Sequence, residues 1–309
     1  MLLPPHFSFF FVILRPMKHE LSILIPTYNG DCRQQVKKLW QQAEAIEGLS
    51  YEIIVADDGS TDKTQVARCQ EIEALPHCRF IIRQENAGRA VIRNFLAREA
   101  RYEWMLFIDC DMTIVSDNFV SHYLEHEDGD VVYGGYVVGN GEPSCLRYVY
   151  EMACASQHTA EERRKRPYQH FHTCNFLVRR SVMLTHPFDE RFHHYGYEDV
   201  LFGKQLRLAG IRVVHTENPV GFYDFEDNAH FVSKMEEGLR TLYEFRNELR
   251  GYSQLLTFTE GIHLSVVRGT IKLWHRLFGA LERRYLCSCK PSLSIFNLYK
   301  LGYYLTLKS

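Results

Sequence analysis

The stretch Trp104-Met105-Leu106-Phe107-Ile108-Asp109-Cys110-Asp111 decides our interpretation of the fold. Its apolar residues have the length of a buried strand, and the strand stops abruptly at two aspartates. In an α/β protein, ligands bind beyond the carboxyl ends of the strands, so these acids are expected to face the ligand crevice. Two aspartates at this spacing can bind one Mg²⁺ or Mn²⁺ ion. An isolated triplet of this kind is, however, more often a plain surface turn, so the rest of the chain must decide.

The composition is that of a large globular protein. With 309 residues and 46% hydrophobic content, the chain can bury an extensive core. Its net charge of -2 argues against general nucleic-acid binding. The charge is uneven, since residues 251–309 contain eight Lys/Arg and two Asp/Glu. This basic segment is therefore expected to be a separate functional region.

We predict three segments: an N-terminal extension at residues 1–17, a folded domain at residues 18–250 and a basic helical region at residues 251–309. The apolar run from Phe7 to Leu14 is too short to span a bilayer and lacks the features of a signal peptide. The nine cysteines are scattered and odd in number, which suits a reducing cytoplasm better than a disulfide framework.

Short apolar runs alternate with helical patterns over the first third of the chain. The predicted strands are residues 21–26, 51–56, 79–83 and 104–108, and the helices between them begin near Val36, after Thr64 and at Gly88. Alternating strands and helices of this length predict a parallel sheet with right-handed crossovers. We therefore expect an α/β fold with a mostly parallel central sheet flanked by helices, followed by a C-terminal helical extension.

Polar residues follow these strands. The first strand ends in Pro26-Thr27-Tyr28-Asn29 and the second in Asp57-Asp58-Gly59-Ser60. Gly88 opens a helix on which Arg89 and Arg93 share one face, so the set could hold a diphosphate. The alternative is that the two arginines are simply solvated on an exposed helix.

Beyond the central stretch, the pattern predicts a helix from Ser116 to about residue 126, a strand from Asp130 to Val138 and helical structure over residues 145–166. The basic run from Arg163 to Arg166 is interpreted as a solvated edge, because consecutive like charges normally lie in water.

Two further pairs of polar residues are ambiguous when taken alone. His170 and His172 precede an apolar run and are expected to pack or hydrogen-bond rather than bind a metal. Glu198 and Asp199 lie at the start of a helix, where acids interact favourably with the helix dipole without a catalytic role. Their aromatic and glycine neighbours also suit a partly desolvated carboxylate beside a ligand.

Together and in this order, these stretches resemble the family 2 glycosyltransferases of the GT-A fold, over about residues 20–245. The motifs that carry the resemblance are Pro26-Thr27-Tyr28-Asn29, Asp57-Asp58-Gly59-Ser60-Thr61-Asp62, Gly88-Arg89 with Arg93-Asn94, Asp109-Cys110-Asp111 and Glu198-Asp199. The resemblance implies an inverting, metal-dependent glycosyltransferase that moves a sugar from a nucleotide-sugar, expected to be a UDP-sugar. The acceptor would be a hydroxyl of a glycan or glycolipid, as in polysaccharide biosynthesis for a cell envelope.

The resemblance also implies a role for each motif. The nucleotide would be held by Pro26, Thr27, Tyr28, Asp57 and Asp58, and the diphosphate would be faced by Gly88, Arg89 and Arg93. Asp109 and Asp111 would bind the diphosphate through Mn²⁺ or Mg²⁺, with Asp111 as the direct ligand and Asp109 reaching the ribose or the metal through water. Asp199, with Glu198 beside it, would be the general base that deprotonates the attacking hydroxyl.

One position departs from the family pattern. Some members carry a histidine that completes the metal shell, and Phe222 stands where we would align it. His230 and Asp224 are weak candidates for a third ligand, with His215 also nearby, but ordinary loop residues are the simpler interpretation.

The C-terminal third is helical in pattern. Residues 228–249 predict a long helix, and an amphipathic helix with a basic polar face follows from Leu264 to Arg284. A basic amphipathic helix that contains Trp274 can lie in a membrane interface, whereas packing on protein is the alternative. The expected location is the cytoplasm, with contact at the inner face of the cell membrane.

Two rival functions remain open from the sequence. A nucleotidyltransferase would share a doubly wound sheet and a carboxylate-bound metal, but the chain lacks an evident glycine-rich, lysine-containing phosphate loop after its first strand. A catalytically silent glycan-binding or scaffold protein could keep the same fold, although the intact acidic positions argue against it.

Overall fold

The computed structural model describes residues 18–125 and 129–307, so the predicted extension at residues 1–17 lies outside the described residues. The strands are β1 Glu20–Thr27, β2 Ser50–Asp57, β3 Cys78–Ile82, β4 Trp104–Ile108, β5 Thr113–Ile114, β6 Val131–Tyr133, β7 Tyr136–Val138, β8 Asn175–Arg179, β9 Val213–His215 and β10 Val220–Phe222. The α-helices are α1 Arg33–Glu44, α2 Lys63–Cys69, α3 Arg89–Glu99, α4 Phe119–Leu124, α5 Leu146–Cys154, α6 Ala160–Lys165, α7 Arg180–Thr185, α8 Glu198–Leu208, α9 Asn228–Glu244, α10 Gln254–Gly261, α11 Ser265–Leu286 and α12 Leu293–Thr306.

Seven strands form the central sheet, in the order β3-β2-β1-β4-β8-β6-β9. Neighbouring strands are parallel except where β8 pairs with β4 and with β6. Only β8 is therefore reversed, and the predicted mostly parallel sheet is confirmed. The remaining strands form a small sheet of order β5-β10-β7.

Strand β4 is buried on both faces, as its unbroken apolar sequence predicts for a strand between two helical layers. Met105 and Phe107 belong to the core on the side of α3, whereas Leu106 and Ile108 belong to the core on the side of α1. Because helices cover both faces of the sheet, the polar residues that follow β4 reach solvent at the carboxyl end of the strand.

The predicted strand at residues 130–138 is wrong, because two strands of different sheets occupy it. β6 lies in the central sheet and β7 in the small sheet, and Gly134-Gly135 turn the chain between them. Gly135 has a φ of +87°, and a Cβ at this position would lie 2.6 Å from Arg163 Nη2. The alternating pattern continues through both halves and therefore hides the turn.

The interpretation of Arg163 as part of a solvated edge is also wrong. Its side chain is 1% exposed and donates hydrogen bonds to the backbone carbonyls of Tyr133, Gly134 and Thr216 at 2.9–3.2 Å. A guanidinium has five N–H donors, so one side chain can bond several carbonyls, including those of Tyr133 and Gly134 that also accept from the backbone N–H groups of Thr216 and Asn218. Arg163 therefore stabilises the passage from the central sheet to the small sheet.

Three predicted helix boundaries need correction. α4 begins at Phe119 rather than at Ser116. The predicted helix over residues 145–166 is divided into α5, a 3₁₀ turn and α6, because the Thr159 hydroxyl accepts a hydrogen bond from Glu162 N–H and starts a new helix. The helix α9 ends at Glu244, before the predicted Leu249.

The C-terminal helices pack on the α/β unit. Phe296 of α12 stacks on Phe231 of α9 with a centroid distance of 5.4 Å, and it contacts Tyr150 of α5 at 5.7 Å. α11 packs along α12 and buries Gly279 and Leu286. No helix within residues 18–125 and 129–307 is long and apolar enough to cross a bilayer. The domain boundary at residue 250 remains a prediction.

Candidate functional site

Four adjacent strands end side by side at one edge of the central sheet. Thr27 of β1 pairs with Asp57 of β2, which in turn pairs with Ile82 of β3. β4 lies on the other side of β1 and is followed by Asp109. Because these strands are parallel, the polar residues that follow them collect at one place.

Asp57 organises the loop that follows β2. The residue is buried, and its carboxylate accepts hydrogen bonds from the Ser60 backbone N–H, at 3.0 Å, and from the Ser60 hydroxyl. The Ser60 hydroxyl oxygen accepts a hydrogen bond from the Asn29 backbone N–H at 2.7 Å. Asp57 thereby joins the loop after β2 to the loop after β1.

Asp58 holds the start of α3. Its carboxylate forms an ion pair with Arg83 and accepts hydrogen bonds from Ala87 N–H at 3.2 Å and Gly88 N–H at 2.9 Å. Burial nevertheless raises the pKa of Asp58, since desolvation disfavours its charged form. Gly88 has a φ of +92°, and a Cβ there would lie 3.0 Å from the His193 carbonyl oxygen, which favours glycine.

Arg93 is the buried cation of the site. It is 1% exposed, with Nη2 at 2.5 Å from Asp109 Oδ1 and Nη1 at 3.8 Å from Glu198 Oε1. A buried guanidinium between two carboxylates fixes their positions, because leaving either charge uncompensated is costly. Arg93 therefore orients Asp109 and Glu198, and it is not part of the cavity wall described below.

Arg89 and Asp111 face the cavity more openly. The Arg89 guanidinium lies 4.0 Å from Glu198 Oε1 and over the ring of Tyr195, at 5.1 Å from its centroid. Asp111 is exposed to the cavity, where removal of bulk water and the neighbouring charge of Asp109 raise its pKa. Two close carboxylates of this kind are stabilised by an added cation.

Asp199 begins α8 together with Glu198, after Tyr197 in the left-handed conformation. Its Oδ2 lies 3.2 Å from His172 Nδ1, and Oδ1 accepts a hydrogen bond from Val200 N–H at 2.8 Å. Burial opposes its ionisation, but the His172 hydrogen bond and charge lower the pKa of Asp199 overall. The expectation that His172 hydrogen-bonds fits this contact.

The pKa of Glu198 is shifted in the opposite direction to that of Asp199. It is almost fully buried, and desolvation together with the Asp199 charge raises the pKa of Glu198 against the effect of Arg89 and Arg93. The pair thus combines one carboxyl that resists ionisation with one that is held ionised.

A cavity of about 510 Å³ connects these groups. Of the predicted site residues, Arg89, Asp109, Asp111, Glu198 and Asp199 line it. The predicted residues outside its wall are Pro26, Thr27, Tyr28, Asp57, Asp58, Gly88 and Arg93, of which Tyr28 is 46% exposed beside the strand ends. The structure thus places the acids and Arg89 together, with the residues assigned to the nucleotide next to them in the sheet.

The weak candidates for a third metal ligand lie elsewhere. His230 and Asp224 are exposed and do not line the cavity, and the His230 backbone N–H serves to cap α9. Phe222 does line the cavity and packs 5.2 Å below the Arg147 guanidinium. Within the part of the chain that the structure describes, no three His, Cys, Asp or Glu side chains are grouped as a metal site.

Sequence reasoning missed several residues of the cavity wall. Lys234 forms an ion pair with Glu226 at 3.2 Å, and Arg147 forms one with Glu151 at 2.8 Å. Lys300 of α12 lines the same cavity although it lies far along the chain. None of these residues belongs to a local motif, and only their tertiary placement reveals them.

Comparison with known proteins agrees with this geometry. The sequence profile described as Glycosyl transferase family 2 matches residues 22–185, just over half of the chain. The chain belongs to glycosyl transferase family 2. The identification of a family 2 glycosyltransferase from motifs alone is therefore confirmed.

Two relatives illustrate the range of this family. Chondroitin synthase of Escherichia coli is 24% identical over 241 residues, which cover 66% of this chain and 34% of the relative. Dolichol-phosphate mannosyltransferase of Pyrococcus furiosus is 35% identical over 96 residues, which cover 30% of this chain and 26% of the relative. The family 2 chain thus spans about a third or less of each relative's length.

Solved structures share the fold. Mannosyltransferase PcManGT from Pyrobaculum calidifontis, in complex with GDP-Man and Mn²⁺, has a TM-score of 0.57 at 14% identity, covering 92% of this chain and 84% of that one. S. aureus TarS 1-349 in complex with UDP-GlcNAc has a TM-score of 0.52 at 17% identity, covering 93% and 90%. The predicted GT-A fold of this family 2 protein is confirmed.

Proposed function

We propose that the protein is an inverting, metal-dependent glycosyltransferase that transfers a sugar from a UDP-sugar to a hydroxyl of a glycan or glycolipid. The observation that carries this proposal is that Asp109, Asp111 and Asp199 open into one cavity. A donor diphosphate beside the first two acids would leave its sugar facing the third. One cavity would then hold the leaving group, the sugar and the base.

The donor side offers both signs of charge. Arg89 is the cation at the start of α3, where backbone N–H groups also favour an anion. Asp109 and Asp111 fit Mn²⁺ or Mg²⁺, because a cation would offset the desolvation and the repulsion from Asp109 that raise the pKa of Asp111. When bound, the cation would neutralise charge on the leaving diphosphate, and oxygens of the diphosphate and water would complete its shell.

Asp199 is assigned as the general base. Its lowered pKa keeps it ionised at neutral pH, and His172 fixes the orientation of its carboxylate. The hydroxyl of the acceptor would transfer its proton to Asp199 as the oxygen attacks the anomeric carbon. Attack on the face opposite the leaving diphosphate is a single displacement, which inverts that carbon.

Support for a UDP donor and for metal comes from proteins of the same fold. One such protein is in complex with UDP-GlcNAc and another with GDP-Man and Mn²⁺. A nucleotidyltransferase is the less favoured alternative, because the motif after β1 is Pro26-Thr27-Tyr28-Asn29 and not a glycine-rich loop with lysine. A silent scaffold is also less favoured, because it would have no need of Arg93 buried between acids.

We further propose that the protein works at the inner face of a cell membrane, in contact through α11. Leu273, Leu277 and Leu281 on one side of this helix are each more than half exposed. The helix also carries five Lys/Arg residues, of which Arg283 is paired with Glu236 of α9, whereas its single acid, Glu282, is buried and accepts a hydrogen bond from Trp274 Nε1 at 2.7 Å. An exposed helix face that is apolar and basic fits an anionic lipid surface.

The reaction is tested with a panel of nucleotide sugars and purified protein. Release of nucleoside diphosphate that requires Mn²⁺ or Mg²⁺ and is strongest with one UDP-sugar is the expected result. Release of pyrophosphate would instead identify a nucleotidyltransferase. Calorimetry that detects no binding of UDP with Mn²⁺ would favour the silent scaffold.

A further inference from the structure

The α12 side of the cavity carries a cation that the proposed donor chemistry does not use. Lys300 lines the cavity, with its Nζ 5.4 Å from the ring centroid of Tyr150 and 5.1 Å from that of Phe296. Both rings belong to helices that pack together, α5 and α12. The amine is therefore held at a defined place in the cavity wall.

Lys300 differs from the other cations that line this cavity. Each of the others has a carboxylate oxygen within 4.0 Å: Arg89 has Glu198, Arg147 has Glu151, Arg163 has Glu217 and Lys234 has Glu226. Among the described residues of the wall, Lys300 is the cation without such a partner. Its charge is thus available to a ligand.

The protein environment of Lys300 leaves this charge uncompensated. Burial lowers the pKa of Lys300, and the nearby Cys154 thiol opposes this shift. The facing rings of Tyr150 and Phe296 favour a cation through their negative ring faces. A partly desolvated ammonium that only rings accompany gains most from an anion that replaces the missing carboxylate.

The donor diphosphate is not the natural partner of this amine. Lys300 is carried by α12 beside the rings of Tyr150 and Phe296, whereas Asp109 and Asp111 follow β4 at the carboxyl end of the central sheet. The amine and the acids that would bind the metal are therefore contributed to the cavity by different elements. An anion at Lys300 belongs to a different part of the substrate.

Neutral hydrogen-bonding groups line the same cavity. Gln157, Gln169 and Gln254 belong to the lining of the cavity, and the first and last of these are exposed. Side-chain amides in a cavity suit the hydroxyls of a sugar, since each amide can donate and accept. The wall around the acids thus offers sites for hydroxyls and one site for an anion.

We propose that Lys300 binds a carboxylate or phosphate group of the glycan acceptor, so that the acceptor is an anionic and not a neutral glycan. This inference rests on the proposed glycosyltransferase function and adds the chemical class of its acceptor. The anion binds by a charge-assisted hydrogen bond from Nζ, while the attacking hydroxyl of the same acceptor reaches Asp199.

The test uses the full chain saturated with UDP and Mn²⁺ and three matched tetrasaccharides as probes. One contains glucuronate, one carries a phosphorylated sugar and one is neutral, and their dissociation constants are measured by calorimetry. We expect the wild-type protein to bind at least one charged probe about tenfold more tightly than the neutral one, as one charge-assisted hydrogen bond predicts. The charged probe that is preferred distinguishes carboxylate from phosphate.

Three variants decide whether Lys300 is responsible. Lys300→Met keeps the apolar stem against both rings and should abolish the preference, whereas Lys300→Arg should retain it. Lys290→Met removes an exposed lysine between α11 and α12, outside the cavity wall, and should change nothing. Circular dichroism melting checks that each variant is folded.

The outcomes distinguish the assignment of Lys300 as the acceptor-binding cation from the proposed glycosyltransferase function. Equal affinity of the wild-type protein for charged and neutral probes, including no binding of either, overturns the assignment of Lys300, as does a preference that persists in Lys300→Met. Metal-dependent hydrolysis of the UDP-sugar by the wild-type protein, measured without any acceptor, tests the proposed function alone. A protein that hydrolyses the donor but shows no preference would therefore refute only the acceptor class.

Discussion

The carboxyl edge of the central sheet and the C-terminal helices use charge in opposite ways. At the edge, Arg93 is buried between Asp109 and Glu198, so each charge fixes another within a few ångströms. In α11, Arg283 is paired with Glu236, but the other basic residues accompany exposed leucines, and the only acid of the helix is buried. Paired, buried charges fix the positions of the carboxylates at the site, whereas an exposed face of basic and apolar side chains suits a lipid surface.

This difference predicts that chemistry and location can be separated by substitution. Changes at the sheet edge should alter the reaction without altering attachment to a surface, and changes in α11 should do the reverse. α12 lies between these extremes, because it is part of the C-terminal region but contributes to the cavity wall.

The largest effect is expected from Asp111→Asn. It removes the negative charge proposed to bind the metal, so metal-dependent hydrolysis of the donor should fall about 10³-fold. Nucleoside diphosphate release measures the loss. Asp117→Asn is the matched control, since its side chain is 99% exposed and should be dispensable. Full activity of Asp111→Asn would remove the metal role from this residue.

The next largest effect is expected from Asp199→Asn. A general base contributes about 10²- to 10⁴-fold, so transfer should fall by at least 10²-fold while UDP binding persists. Single-turnover transfer and calorimetry with UDP measure the two quantities separately. Parallel loss of both would show that Asp199 acts in donor binding and that the base was misassigned.

A smaller effect, on stability, distinguishes α12 from α11. Phe296→Ala should lower the free energy of unfolding by about 3–4 kcal/mol, because it removes a large buried side chain. Leu277→Ala removes a side chain that is 63% exposed and should change stability by less than about 0.5 kcal/mol. Urea unfolding of both variants checks the contrast, and equal losses would contradict the observed difference in burial.

Attachment to lipid should depend on α11. The triple variant Leu273→Ser, Leu277→Ser, Leu281→Ser should bind vesicles of phosphatidylcholine and phosphatidylglycerol about tenfold more weakly than the wild type, because apolar area is lost. Sedimentation with vesicles measures the binding. Leu208→Ser, on α8 and 77% exposed, is the control. A variant that loses self-association instead of vesicle binding would assign the face to a second copy of the protein.

The smallest expected effect is a shift in pH dependence. His172 lowers the pKa of Asp199, so His172→Ala should raise that pKa toward its ordinary value or above it. The base is active when ionised, and the acidic limb of the rate profile should therefore move to higher pH. Initial rates of transfer across the acidic range test this direction, and a shift to lower pH would exclude the assigned hydrogen bond.

The residues of the site that follow strands could be predicted from local sequence alone. Asp57, Asp58 and Asp109 each come directly after an apolar run, and parallel pairing then brings them to one edge. The central sheet, the position of Asp111 beside a cavity and the pairing of Glu198 with Asp199 at a helix start could all be anticipated in this way. Each of these features depends on the boundary of one strand or helix, and such a boundary can be predicted from neighbouring residues in the sequence.

Other features depend on contacts between distant residues and leave no local signal. Arg163 belongs to a basic run but is buried, where its guanidinium donates to the carbonyls of Tyr133, Gly134 and Thr216. Arg93 shares a helical face with Arg89, and its inward orientation follows from acids on two other elements. The position of Lys300 depends on how α12 packs against α5.

The contribution of α12 to the cavity also has a consequence for synthesis of the protein. Strands β1 to β4, together with Asp58, Asp109 and Asp111, have all been made by residue 111, and chains fold in units as they emerge from the ribosome. Phe296 and Lys300 reach the cavity only after nearly two hundred further residues have been translated. The part of the cavity that contains Asp109 and Asp111 is thus made early and the part that contains Lys300 is made late, so a nascent chain cannot form the complete cavity.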